Sequence, residues 1–184
     1  MEIGLRKSGM ASPAEISAST GFPPIAGAGA RVLVLGTLPS QASLAASQYY
    51  AHPQNAFWKI MAEIAGASGD YETRQSALIA VGIAVWDVLA SSVRPGSMDA
   101  DIDMASAAPN DFDTLFKQYP GIRLVCFNGQ KAEQLFTRLV EPSISHDRYR
   151  TARLPSTSPA YASMSFEQKL SNWRGIIEPE IKKG

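Results

Sequence analysis

The sequence predicts an α/β fold, a three-layer α/β/α sandwich on a parallel sheet, and three observations carry that expectation. Four short strand-like runs recur along the chain, each ending in a loop. Segments with apolar residues at helical spacing stand between them, and strands alternating with helices favour a parallel sheet covered on both faces. A length of 184 residues with 45% hydrophobic and 18% charged side chains suits one core-forming domain.

Each element has its own signal. Residues 1–30 are rich in Gly, Pro, Ala and Ser; an irregular lead-in over residues 1–20 is expected before a single domain at 21–184. Residues 31–36 (RVLVLG) form a β-branched apolar run that stops at glycine, as a buried strand does. Residues 55–66 place Phe57, Ile60, Met61 and Ile64 at helical spacing, with Asn55 as N-cap and Phe57 and Trp58 read as core. A second helix covers 72–81, and residues 83–89 (IAVWDVL) read as the second strand. A helix over 111–119 ends at Pro120, before a third buried strand at 122–127. Asn128-Gly129 turns the chain into a helix over 130–140. Residues 148–154 (RYRTARL) alternate like a strand exposed on one face, and a last helix spans 165–177.

Charge and composition exclude several classes. Formal net charge is zero, which argues against broad coating of nucleic acid. Its distribution is uneven: six aspartates between residues 84 and 113 (Asp87, Asp99, Asp101, Asp103, Asp111, Asp113) face Arg94. Arg148, Arg150, Arg153, Lys169 and Arg174 outnumber the acids further on. The basic stretch is either ordinary surface charge or a phosphate-contacting face. No apolar run reaches eighteen residues, and the opening residues lack the apolar stretch of a secretory signal, so neither membrane nor export is expected. Cys126, in LVCF, is read as a small core residue in a reducing compartment.

The parallel arrangement puts the loops that begin at Gly36, Asp87, Asn128 and Leu154 in the crevice where open α/β sheets bind ligands. The first loop lacks both phosphate-binding glycine patterns, no GxSxG elbow is present, and two histidines without paired cysteines leave no metal site to expect. That first loop is instead dense in amide, hydroxyl and aromatic groups: Tyr49, Tyr50, Asn55, Phe57 and Trp58, with Asn128 at another strand end. Flat apolar surfaces beside amide donors and acceptors suit a nucleobase held out of the stack.

The segment GTLPSQASLAASQYYAHPQNAFWKI, followed in order by IAVWDVL, RPGSMD, CFNGQKA and LPSTSPA, resembles the uracil-DNA glycosylase superfamily. It is most like the branch of hypoxanthine-DNA (deoxyinosine) glycosylases. The likeness covers roughly residues 20–175. It implies a central four-stranded parallel sheet flanked by helices, neither metal nor cofactor, and DNA carrying a deaminated base as partner. An intracellular, cytoplasmic monomer of base excision repair is expected. Many relatives carry Asp or Asn two residues after the first motif's glycine; Leu38 stands there and can neither orient water nor act as a base. Leu154 stands where the uracil enzymes have histidine. Both departures move the expectation from uracil toward hypoxanthine.

By the same resemblance Asn55 holds the attacking water, Tyr50 stacks on the flipped base and Asn128 reads its polar edge. Gly36, Thr37 and Leu38 line the base pocket. Ser40, His52, Ser156, Thr157 and Ser158 contact the DNA, with His52 left open between phosphate, leaving base and a structural role. Backbone N–H groups around residues 36–40 and the Asn128 amide could stabilise the departing anion. Asp87 is read as structural, capping Ser91 or Ser92, and Arg94, Ser97 and Asp99 as ordering their loop. The alternatives are a uracil- or mismatched-thymine-directed enzyme of the same superfamily, and a module that binds damage without cleaving it.

Overall fold

The structure, a computed structural model, describes residues 18–145 and 147–181. In chain order the elements are β1 (Ser19–Thr20), β2 (Val32–Gly36), α1 (Gln41–Ala46), α2 (Phe57–Ala65), α3 (Tyr71–Val81), β3 (Ile83–Asp87) and β4 (Leu89–Ser92). There follow β5 (Ala108–Pro109), α4 (Phe112–Gln118), β6 (Leu124–Asn128), α5 (Gln130–Leu139), β7 (Arg150–Leu154) and α6 (Phe166–Ile177). The main sheet is four-stranded, parallel throughout, in the order β3-β2-β6-β7.

Crossovers between parallel strands are right-handed, so the direction of each step decides which face its helices cover. The step from β2 to β3 carries α2 and α3 to one face; the steps from β3 to β6 and on to β7 carry α4 and α5 to the other. Ring contacts fix the layers. Phe57 of α2 meets Trp173 of α6 at 6.0 Å, and Phe112 of α4 meets Phe136 of α5 at 5.2 Å. Every residue of β2, β3 and β6 is buried, which explains their unbroken apolar runs. The edge strand β7 exposes Arg150, Thr151 and Arg153, and its alternation follows from that position. Cys126 is buried in β6, and burial pushes its thiol up to about 12, as a core residue requires.

Three details differ from expectation. The second strand leaves the main sheet after Asp87, where the Val88 N–H donates to Gly36 O; residues from Leu89 on join a small antiparallel sheet, β1-β4-β5. Part of the expected irregular lead-in therefore pairs as strand, Ser19 opposite Ser92; residues 1–17 lie outside the described residues, as does His146. Helix α2 begins at Phe57 with Ala56 at the N-cap, yet Asn55 supplies the capping bond, its Oδ1 accepting from Phe57 N at 2.9 Å.

From β2 the chain steps outward to β3, then returns past β2 to β6. The connections thus depart in opposite directions beside the carboxyl end of β2, the place where such sheets open a crevice.

Candidate active site

A cavity of about 330 Å³ occupies that crevice, within the size range of small-molecule sites. The residues expected to act in catalysis, base binding or DNA contact line it: Gly36, Thr37, Leu38, Ser40, Tyr50, His52, Asn55, Asn128, Ser156, Thr157 and Ser158. The ends of β2, β6 and β7 bring them together across 123 residues of sequence, from Gly36 to Ser158, with the aromatic segment after α1 closing one side.

Gly36 fixes the floor. A Cβ there would stand 2.5 Å from Asp87 Oδ1 and 2.9 Å from Tyr50 Oη, so only glycine admits both side chains. Tyr50 forms the aromatic wall, its ring stacked on Phe57 with centroids 4.1 Å apart and planes 24° from parallel. Its backbone is left-handed, φ 53°, a strained conformation for tyrosine of the kind that gathers at functional sites. Adjacent Tyr49 anchors it: Tyr49 Oη donates to Phe22 O and Pro23 O, and Tyr49 O accepts from Trp58 Nε1 at 2.7 Å. Burial first, and then the Asp87 charge, push the Tyr50 hydroxyl far up, so it remains a neutral phenol.

Asn128 ends β6 and locks the opposite wall. Its Oδ1 accepts from Thr157 N at 2.9 Å, and its Nδ2 donates to Thr157 Oγ1 at 2.9 Å. The backbone N–H can only donate, so the amide's orientation is set, leaving one N–H and one lone pair for a ligand. Thr157 is 1% exposed and its carbonyl accepts from Ala56 N, tying the loop after β7 to the start of α2. Thr157 is thus a structural pin. Asn55 and Ser156 are half-buried at the cavity edge, and His52 is exposed, its Nδ1 accepting from Gln54 N at 3.2 Å. The Leu38 side chain is buried, leaving its backbone to face the cavity.

Residues 93–104 lay a charged strap over this floor. Arg94 is 3% exposed, and its guanidinium donates to Leu38 O and Pro39 O, holding the loop after β2. Asp99 accepts from Thr37 Oγ1 at 2.6 Å. The expected loop-ordering role of Arg94 and Asp99 is what these bonds do. Asp87 departs from expectation: its carboxyl caps neither Ser91 nor Ser92, lies 4% exposed in the cavity lining, and leaves Oδ2 without a hydrogen bond. Ser92 instead bonds Val93 O, Asp103 O and Ser106. Burial, reinforced by Asp99 and opposed by Arg94, lifts the Asp87 carboxyl to about 7.

The basic stretch resolves mostly into local pairs. Arg150 meets Glu180, Arg153 meets Glu133, and Arg174 meets Glu63 and Glu178. Lys169 is buried and donates to Tyr161 O at 2.7 Å, ordering the loop after β7 from beneath. Any phosphate contact along this stretch competes with those pairs. Among the described residues no helix is long and apolar enough to cross a membrane.

A polar cavity at the carboxyl ends of a four-stranded parallel sheet, walled by a strained tyrosine and two amides, belongs to a recognisable class. The chain is a member of the uracil DNA glycosylase superfamily, whose family model matches residues 23–181. Two curated relatives narrow the likeness. A hypoxanthine DNA glycosylase of Methanosarcina acetivorans is 35% identical over 160 residues, covering 85% of this chain and 96% of that protein. A hypoxanthine DNA glycosylase of Methanosarcina barkeri is 35% identical over 156 residues, 83% and 94% of the two chains. The solution NMR structure of a candidate uracil DNA glycosylase from Methanosarcina acetivorans superposes with a TM-score of 0.74 at 32% identity, covering 89% of this chain and 98% of that one. The chain is therefore a DNA glycosylase, with the four-stranded α/β/α architecture of that fold.

Proposed function

We propose that this enzyme excises hypoxanthine from DNA, hydrolysing the N-glycosidic bond of deoxyinosine after the nucleotide is flipped into the cavity. The observation that carries the reading is the cavity wall: Tyr50 offers a ring already backed by Phe57, beside the Asn55 and Asn128 amides. A flipped base is held by such stacking and by hydrogen bonds to its edge. Relatives that align over more than four-fifths of the chain act on the same base.

Each side chain has a part. Tyr50 stacks on the base. Asn128, with its remaining N–H and lone pair, reads the polar edge. Asn55, neutral and unable to abstract a proton, holds the attacking water toward C1′ while its oxygen also caps α2. Gly36, Thr37 and Leu38 present backbone to the base; Ser40, His52, Ser156 and Ser158 meet the DNA at the rim, with Thr157 holding their loop. A monomer acting on DNA inside the cell completes the proposal. Mismatched thymine and uracil are the second reading, and Leu38 and Leu154 stand against them.

The test is single-turnover excision from an inosine-containing duplex. Asn55→Ala is expected to slow it by roughly 10²-fold, the scale lost when a positioned water is misplaced. An unchanged rate removes the role given to Asn55.

A further inference from the structure

Asp87 is a cavity-lining carboxyl that the fold leaves unspent. It ends β3 in register with Gly36, and its backbone carbonyl accepts from Asn110 Nδ2 at 2.8 Å. The side chain is 4% exposed, and Oδ2 has no hydrogen-bond partner among the described residues. Buried polar atoms are rarely left so, because the missing bond is costly. The absent Cβ of Gly36 leaves room for the carboxyl, whose Oδ1 a methyl there would meet at 2.5 Å.

Resting on the hypoxanthine reading above, we propose that Asp87 is the general acid of the reaction, giving its carboxyl proton to N7 of the departing purine. The groups facing it agree with a proton being held there. Asp99, on the strap of residues 93–104, disfavours its charge; Arg94, from the same strap, opposes that and is itself held by Asp99, Asp87 and Asp101. Tyr49 and Tyr50, from the segment after α1, stay neutral phenols. Burial dominates, so an appreciable share of the carboxyl is protonated near neutral pH, where an acid works best.

The step balances. The C1′–N9 bond breaks and its electron pair goes to the purine. That raises the basicity of N7, which takes the Asp87 proton, so hypoxanthine leaves neutral. Water adds to C1′ and releases a proton to solvent, and solvent reprotonates the Asp87 carboxylate. Uracil has no imidazole ring and no N7, so an acid at this place favours a purine leaving group. That adds a positive preference for purine to the departures at Leu38 and Leu154, which stand against uracil.

The test compares wild type with Asp87→Asn, an isostere that cannot donate an acidic proton. Single-turnover excision of hypoxanthine is followed from about pH 5.5 to 9. His52 lines the same cavity and is common to both proteins, so their ratio isolates Asp87. Wild type is expected to lose rate on the alkaline side with a midpoint within about one unit of 7, and Asp87→Asn to be slower by roughly 10²-fold at pH 6 with that limb gone. A variant within threefold of wild type at pH 6, or a flat wild-type profile, overturns the assignment. Should the variant not fold, the wild-type profile decides, together with a duplex carrying 7-deaza-deoxyinosine, which lacks N7. Excision of that analogue within tenfold of deoxyinosine also overturns it. Wild type that releases no hypoxanthine at any pH sinks the functional reading itself, a separate outcome.

Discussion

Replacing Asp87 by asparagine should make the protein more stable, and increasingly so as pH rises. The carboxyl has an ordinary value of 3.8 when the chain is unfolded and about 7 in the folded cavity. A carboxylate raised on folding works against the fold. The native state holds a proton that the unfolded state has already released, so stability falls as pH climbs from about 4 and levels off above about 7. Three units at ~1.4 kcal/mol each give a full cost of about 4 kcal/mol. Asparagine keeps the shape, carries no charge to desolvate, and is free of Asp99 repulsion. Its advantage over wild type should grow by roughly 2 to 3 kcal/mol between pH 5 and 8.5. For a domain of this length that is a widening of about 4 to 12 °C in melting temperature. Thermal melts of both proteins across that range supply the measurement. A gap that stays constant with pH would show an ordinary carboxyl at position 87 and refute the reasoning.

Other perturbations follow from the same contacts. Gly36→Ala puts a methyl 2.5 Å from Asp87 Oδ1 and 2.9 Å from Tyr50 Oη, and should cost about 1–3 kcal/mol in melts together with most excision activity. Thr157→Val keeps the volume but removes the acceptor of Asn128 Nδ2; the orphaned buried donor should cost about 1–3 kcal/mol by urea unfolding. Arg94→Met removes the bonds to Leu38 O and Pro39 O, and should open the loop after β2, read as faster amide exchange at Thr37, Leu38 and Ser40 with β6 unaffected.

Much of this was legible because parallel strands buried on both faces write themselves as unbroken apolar runs. Gly36 and Leu154 end their strands where the sequence signals, β6 runs one residue further than expected to Asn128, and those ends locate the crevice. Other elements carry weak sequence signals. Helix α1 is six residues of QASLAA without an apolar stripe, and β1 and β5 are two residues each, held by pairing partners distant in the chain. The sequence leaves the basic stretch open between ordinary surface charge and a phosphate-facing surface because its partners, Glu63, Glu133 and Glu180, lie far along the chain. The same holds for Asp87. A lone acid closing an otherwise apolar strand was the available signal; that it faces Gly36 with an open oxygen is visible only once β2 and β3 are paired.

The central claim, that the cavity excises hypoxanthine, meets its most direct test in a panel of duplexes. Each carries one hypoxanthine, xanthine, uracil or mismatched thymine and is scored for alkali-labile abasic sites under single turnover. The account predicts the fastest strand scission at hypoxanthine and little at uracil or thymine. Uracil released faster than hypoxanthine, or no abasic site from any duplex, would contradict it.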